Sequence, residues 1–284
     1  VKPTIADAWL NKRRKGMTMQ RREFIKLVGA TVAGGATLYD WATSQAAQEV
    51  PGQRVYQAAD LSGWEMVLGD GLYTAPNQPP ITLDDISTTH WGDRSELRAN
   101  RWQRGVMAHN ITFKRFIDSG ALAFTHLCDF AFRLPFVPAT NSWPTNAQTL
   151  EISLAIWDGG ATRLDYTMAL QWILNPWLSS FGAIRCWTNS NGGAWQRVGS
   201  LTPDTNWHTV SLVFNYQQQS TAMVIDGQSY LSAFAGTTKP ATWGTEMAAR
   251  LGAEIISIYP GANSTAPYHI AEFKNWRWVW LPTV

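Results

Sequence analysis

Asn206-Trp207-His208-Thr209-Val210-Ser211-Leu212-Val213-Phe214, followed by Ala222-Met223-Val224-Ile225-Asp226-Gly227, decides the fold class. Both runs are rich in β-branched and aromatic side chains, and the second ends on Asp-Gly, a pair that accepts positive φ and so closes a hairpin. Outward from these runs the pattern repeats. Residues 94–102, 105–116, 121–134, 149–157, 165–174, 183–188, 208–216, 221–225, 253–259 and 269–280 read as strands, with Asp158-Gly159-Gly160 and Asn189 to Gly193 as turns. Helical periodicity is nearly absent, one turn over 245–250 excepted, so the chain reads as all-β with two packed antiparallel sheets.

Composition narrows the function classes. Of the 284 residues, 45% are hydrophobic and 15% charged, with 16 Trp. The net charge of +2 includes a basic N-terminus (Lys12, Arg13, Arg14, Lys15, Arg21, Arg22, Lys26), which leaves the rest near neutral. Nucleic-acid binding depends on neutralising phosphates and is therefore disfavoured. No apolar run reaches the ~18 residues that cross a bilayer. The two cysteines, Cys128 and Cys186, both lie in apolar runs, and pairing or burial as free thiols are both compatible with that. No metal-ligand spacing or cofactor motif is visible, so neither a metal nor a cofactor is expected.

Near the N-terminus, Gln20-Arg21-Arg22-Glu23-Phe24-Ile25-Lys26 resembles the twin-arginine export consensus. A weakly apolar Gly/Ala/Thr run over 27–38 follows, and Ser44-Gln45-Ala46 offers small residues for cleavage near Ala47. The resemblance implies a signal region over 1–46, a folded domain over 50–284 and the twin-arginine translocase as partner. It also implies residence in the periplasm, in the thylakoid lumen or outside the cell.

The opening stretch, together with Ala271-Glu272-Phe273-Lys274-Asn275-Trp276-Arg277, resembles the laminin-G-like and concanavalin A-like lectin/glucanase superfamily. In that group a Trp-His pair opens a strand and a hairpin presents Asp-Gly. The resemblance implies a two-sheet antiparallel jelly-roll β-sandwich. Trp207 and His208 themselves read as a packed indole and a satisfied imidazole at a strand start.

Arg94-Ser95-Glu96-Leu97-Arg98 is the most pointed motif for chemistry. A period of two sets Arg94, Glu96 and Arg98 on one face, where burial without partners would cost several kcal/mol. An open polar surface suits them. The pentapeptide resembles the first signature of alginate lyases and related polysaccharide lyases, which implies a strand on the concave sheet whose arginines grip a uronate. On the same resemblance Gln171 neutralises the substrate carboxylate and Tyr259 serves as acid/base beside Arg98. The family's histidine position holds Ile173, and the Lys, Ala-Gly and Asn-Gln around its tyrosine are missing; His126 or His109 would have to supply the imidazole.

Three functions follow from the residues. The first is an exported protein binding polysaccharide, with Arg94, Glu96, Arg98 and Gln171 as the floor and Trp177, Trp195 and Trp243 as stacking platforms. The second is a lyase cleaving a uronate polymer by β-elimination. The third is a structural cell-envelope domain. Hydrolysis by paired carboxylates is rejected at Glu151, because the strand carries no second acid at Ser153 or Ala155. Glu151, Glu254 and Glu272 read as hydrogen-bonded structural acids.

Overall fold

A computed structural model describes residues 34–67, 82–99, 109–117, 120–135, 148–157, 164–174, 178–188, 194–215, 218, 220–231, 246–254 and 269–282. Among the described residues one α-helix, α1 (Gly34–Ala47), precedes the strands. These are β1 (Arg54–Ala58), β2 (Glu65–Val67), β3 (Ile86–His90), β4 (Ser95–Ala99), β5 (His109–Ile117), β6 (Phe124–Arg133), β7 (Gln148–Trp157) and β8 (Leu164–Leu174). They continue with β9 (Ala183–Thr188), β10 (Ala194–Ser200), β11 (His208–Asn215), β12 (Ser220–Ile225), β13 (Gln228–Leu231), β14 (Glu246–Glu254) and β15 (His269–Pro282).

Two antiparallel sheets form, as the strand pattern predicts. The first runs β13-β12-β11-β6-β15-β4-β3, with β1 also paired to β15; the second runs β10-β9-β8-β7-β14-β5-β2. The last strand returns between β6 and β4, the crossover expected of a jelly-roll sandwich. Asp226 and Gly227, at φ 51 and 78, make the tight turn from β12 to β13.

Alternation along each strand supplies the core. Leu97, Phe132, Phe273, Trp278 and Trp280 from the first sheet meet Leu170, Trp172, Leu174 and Ile184 from the second, all fully buried. Phe132 and Trp172 meet edge to face with centroids 6.0 Å apart. Three of the core indole N–H groups find acceptors: Trp172 Nε1 donates to the Leu201 carbonyl (3.1 Å), Trp276 Nε1 to that of Asp60 (2.7 Å) and Trp278 Nε1 to His126 Nδ1 (3.2 Å), whereas those of Trp64 and Trp280 meet no acceptor among the described residues. Trp64, Trp172, Trp276, Trp278 and Trp280 all belong to this core. The tryptophan content therefore measures inter-sheet filling as much as any surface for ligands.

One expectation is corrected. The helical turn at 245–250 is strand β14, because a central position paired to both β5 and β7 offers a complete hydrogen-bond ladder that outweighs the helix-favouring Glu246-Met247-Ala248-Ala249-Arg250. Upstream of residue 50, α1 packs on the first sheet. On α1 the four-residue spacing of Leu38, Ala42 and Ala46 seats them on Leu127, Val213, Ala222, Val279 and Leu281, on the outer face of the first sheet. Arg277 Nη2 and Gln53 Nε2 donate to the Ala46 carbonyl at 3.3 and 3.5 Å, satisfying the helix end. Of the two alternatives open for the cysteines, the structure has the free thiols: Cys128 and Cys186 are buried and unpaired, on β6 of the first sheet and β9 of the second.

Candidate functional site

Ser95 and Leu97 are fully buried on the inner side of β4. Ser95 Oγ accepts the Leu61 backbone N–H at 2.8 Å and lies 2.6 Å from His90 Nδ1. That anchoring leaves Arg94, Glu96 and Arg98 outward together, as period-two reading requires.

Cross-strand register then assembles a cluster that the pentapeptide alone does not contain. Glu96 stands opposite Glu272 of β15, and Glu272 stands opposite Arg133 of β6. Arg98 Nε donates to Glu96 Oε1 at 2.9 Å, Arg133 Nε donates to Glu272 Oε2, and Arg94 Nε lies 3.8 Å from Glu272 Oε1. The Glu96 and Glu272 side chains are 12% and 8% exposed, whereas those of Arg94, Arg98 and Arg133 are 31%, 36% and 32% exposed. The carboxylates thus act as anchors and the guanidinium heads reach solvent.

Two indoles back the cations. Arg94 lies over the Trp91 ring at 4.3 Å, while Arg133 and Lys274 lie over the Trp207 ring at 4.8 and 4.2 Å. Trp91 is exposed. Arg94 Nη1 also bonds Asp93 at 3.1 Å. The cluster therefore carries four cations against three carboxylates, an arrangement able to orient an anionic, hydroxyl-rich ligand.

Gln171 is elsewhere. Its neighbours Leu170 and Trp172 are fully buried in the core, so Gln171, itself 5% exposed, lies on the outer side of the second sheet. In register it stands opposite Glu151 of β7 and Arg185 of β9, and Arg185 stands opposite Arg197 of β10. Stacked sheets are about 10 Å apart, and Gln171 and Arg98 extend away from that interface in opposite directions. The single floor of Arg94, Glu96, Arg98 and Gln171 is therefore corrected to two separate faces. The trio Tyr259, Gln171 and Arg98 is likewise not assembled, because two of its members cannot reach one sugar. Trp195 sits half-buried on the edge strand β10, in the second sheet and opposite Trp187. Tyr259, Trp177 and Trp243 fall outside the described residues.

His126 and His208 are held in structural roles, and the side chain of the other candidate imidazole, His109, falls outside the described residues. His126 is fully buried, with Nε2 bonded to the Ala121 carbonyl at 2.8 Å and Nδ1 accepting from Trp278; burial lowers its pKa to about 4. His208 is satisfied on both ring nitrogens, by Asp226 at 2.7 Å and Asp204 at 3.0 Å. Arg133, Lys274 and Trp207 are the site residues that motif reading missed. Their outward placement was readable from the buried Phe132 and Phe273 beside them, but their convergence depends on which strands pair.

No protein-family model matches the sequence, and no curated protein matches it. Among solved structures, the chain is similar to an endo-β-1,4-glucuronan lyase from the fungus Trichoderma reesei, with 10% identity over 80% of this chain and 94% of that one, at a TM-score of 0.47. It is also similar to a non-specific endo-β-1,3(4)-glucanase of family GH16, with 10% identity over 82% and 93% and a TM-score of 0.48. A sialidase aligns at 12% identity and a TM-score of 0.44; 78% of this chain is covered, which spans only 18% of the sialidase. At these identities the likeness is one of fold.

Proposed function

We propose that this chain is an exported β-sandwich that binds acidic polysaccharide on the outer face of its first sheet. One observation carries the reading: two nearly buried carboxylates, Glu96 and Glu272, hold Arg98 and Arg133 by their Nε edges, with Arg94 Nε 3.8 Å from Glu272, on one outward face. Such clasping fixes guanidinium orientation before a ligand arrives, which reduces the entropy lost on binding. Trp91, exposed beside Arg94, adds a surface on which a sugar ring can stack.

Binding is favoured over β-elimination. A lyase must bring a carboxylate neutraliser, a base and an acid to one sugar, and Gln171 is turned away from Arg98. Export through the twin-arginine pathway is proposed from Arg21-Arg22-Glu23-Phe24-Ile25-Lys26. Packing of α1 against the sheet favours its retention in the exported protein over a cut at Ala46.

The test is affinity electrophoresis of the parent and Arg98→Ala through gels containing alginate, glucuronan or neutral β-glucan. Retardation by acidic polymers, weakened in Arg98→Ala while urea unfolding shows that the variant is still folded under the conditions of the gel, supports the reading. Free migration of the parent through every polymer sinks it. New absorbance from unsaturated sugars on incubation with the same polymers would restore the lyase reading.

A further inference from the structure

We propose that Trp207, Arg133 and Lys274 form a subsite that recognises the anionic group of a sugar, a carboxylate or a sulfate ester. The proposal rests on the reading of this face as a glycan-binding surface and assigns its charge selectivity to residues outside the Arg94–Arg98 motif.

Two cations share one indole, at 4.8 and 4.2 Å from its ring. Two positive groups this near one indole repel each other, and an anion within reach of both would offset that repulsion. Arg133 uses Nε on Glu272, and its terminal nitrogens have no hydrogen-bond partner among the described residues. Lys274 makes no hydrogen bond or ion pair among the described residues; its ammonium rests on Trp207 alone. Both side chains are partly exposed, so their donors can meet a ligand.

The backbone supplies an independent observation. The β15–β6 register breaks between Lys274 and Arg277, and Asn275 sits there at φ 54, in the left-handed region that Asn enters more readily than other residues with a Cβ. The distortion is held from both sides of the residue: the Asn275 N–H bonds the Ala59 carbonyl at 2.9 Å, and Trp276 Nε1 bonds that of Asp60. Bulges of this kind re-aim side chains at binding surfaces. Here the bulge begins at the lysine that lies over Trp207. Glu272 joins this subsite to the motif, since its two oxygens face Arg133 and Arg94 respectively.

The experiment compares the parent, Lys274→Gln, Arg133→Lys and Arg98→Ala on alginate, dextran sulfate and neutral laminarin, with urea midpoints measured alongside. Lys274→Gln is expected to weaken binding to acidic polymer about tenfold, flatten its salt dependence and leave the midpoint and laminarin binding unchanged. Arg133→Lys retains a charge for Glu272 but lacks the fork, and is expected to weaken the same polymers. A loss on alginate alone assigns a carboxylate, and a loss on dextran sulfate alone assigns a sulfate. If the parent binds acidic polymer and Arg98→Ala weakens it while Lys274→Gln does not, the subsite is wrong and the face reading stands. If the parent binds none of the three, both fall.

Discussion

Glu96 and Glu272 are direct cross-strand partners on β4 and β15, two like charges in a position that ordinarily destabilises a sheet. They are tolerated because arginines hold each of them: Arg98 binds Glu96, and Arg94 and Arg133 flank Glu272. Glu272→Gln should therefore leave Arg133 without its counter-charge and Arg94 with Asp93 alone, and lower stability by about 1 to 3 kcal/mol, moderated because both arginines reach water. Glu96→Gln should cost less than about 1 kcal/mol, because the like-charge contact is relieved in both variants while one arginine, Arg98, bonds Glu96 against the two that flank Glu272. Urea unfolding of the two variants checks the order, and the reverse order would contradict this account of the pair.

His126 makes stability depend on pH. Burial lowers its pKa from 6.5 to about 4, so the folded protein holds it neutral. Between those values the unfolded chain takes up a proton that the folded chain refuses. Stability from this group is thus complete above pH 6.5 and falls as pH drops towards 4, by about 3 kcal/mol in all. Denaturation curves at pH 7 and 4.5 should show the drop, and His126→Gln should flatten it. An equal drop in the variant would assign it to carboxylates instead.

The contact of α1 with the sheet predicts what truncation does. A chain starting at Gln48 would uncover Leu127, Val213, Ala222, Val279 and Leu281. It should lose about 3 kcal/mol of stability and bind a hydrophobic dye that the longer chain does not. Mass measurement of the exported protein should then find residues 34–47 present. A mature terminus at Ala47, with unchanged stability, would show the helix to be dispensable.

Neither thiol should react in the native protein. Burial, with the Asp129 charge adding to it, pushes the Cys128 thiol well above its ordinary pKa, and Cys186 is equally enclosed. Iodoacetamide at pH 8 should label both residues only after unfolding. Rapid labelling of the folded protein would mean that the core opens locally.

Alternation of apolar side chains and Asp-Gly turns was enough to read an antiparallel sandwich and the outward side of Arg94, Glu96 and Arg98, because strand geometry has a strict two-residue period that sequence displays directly. It also placed Gln171 and Tyr259 with them by likeness to a motif, and for Gln171 that placement failed. Alternation tells whether a residue points in or out of its own sheet; it carries no information on which sheet that is. Sheet membership, the joining of Glu272, Arg133, Lys274 and Trp207 to the motif, and the docking of α1 depend on contacts between strands far apart in the chain, such as β4 with β15 and β15 with β6. Those pairings arise from burying both inner faces at once, a property of the whole chain that no local run of residues records.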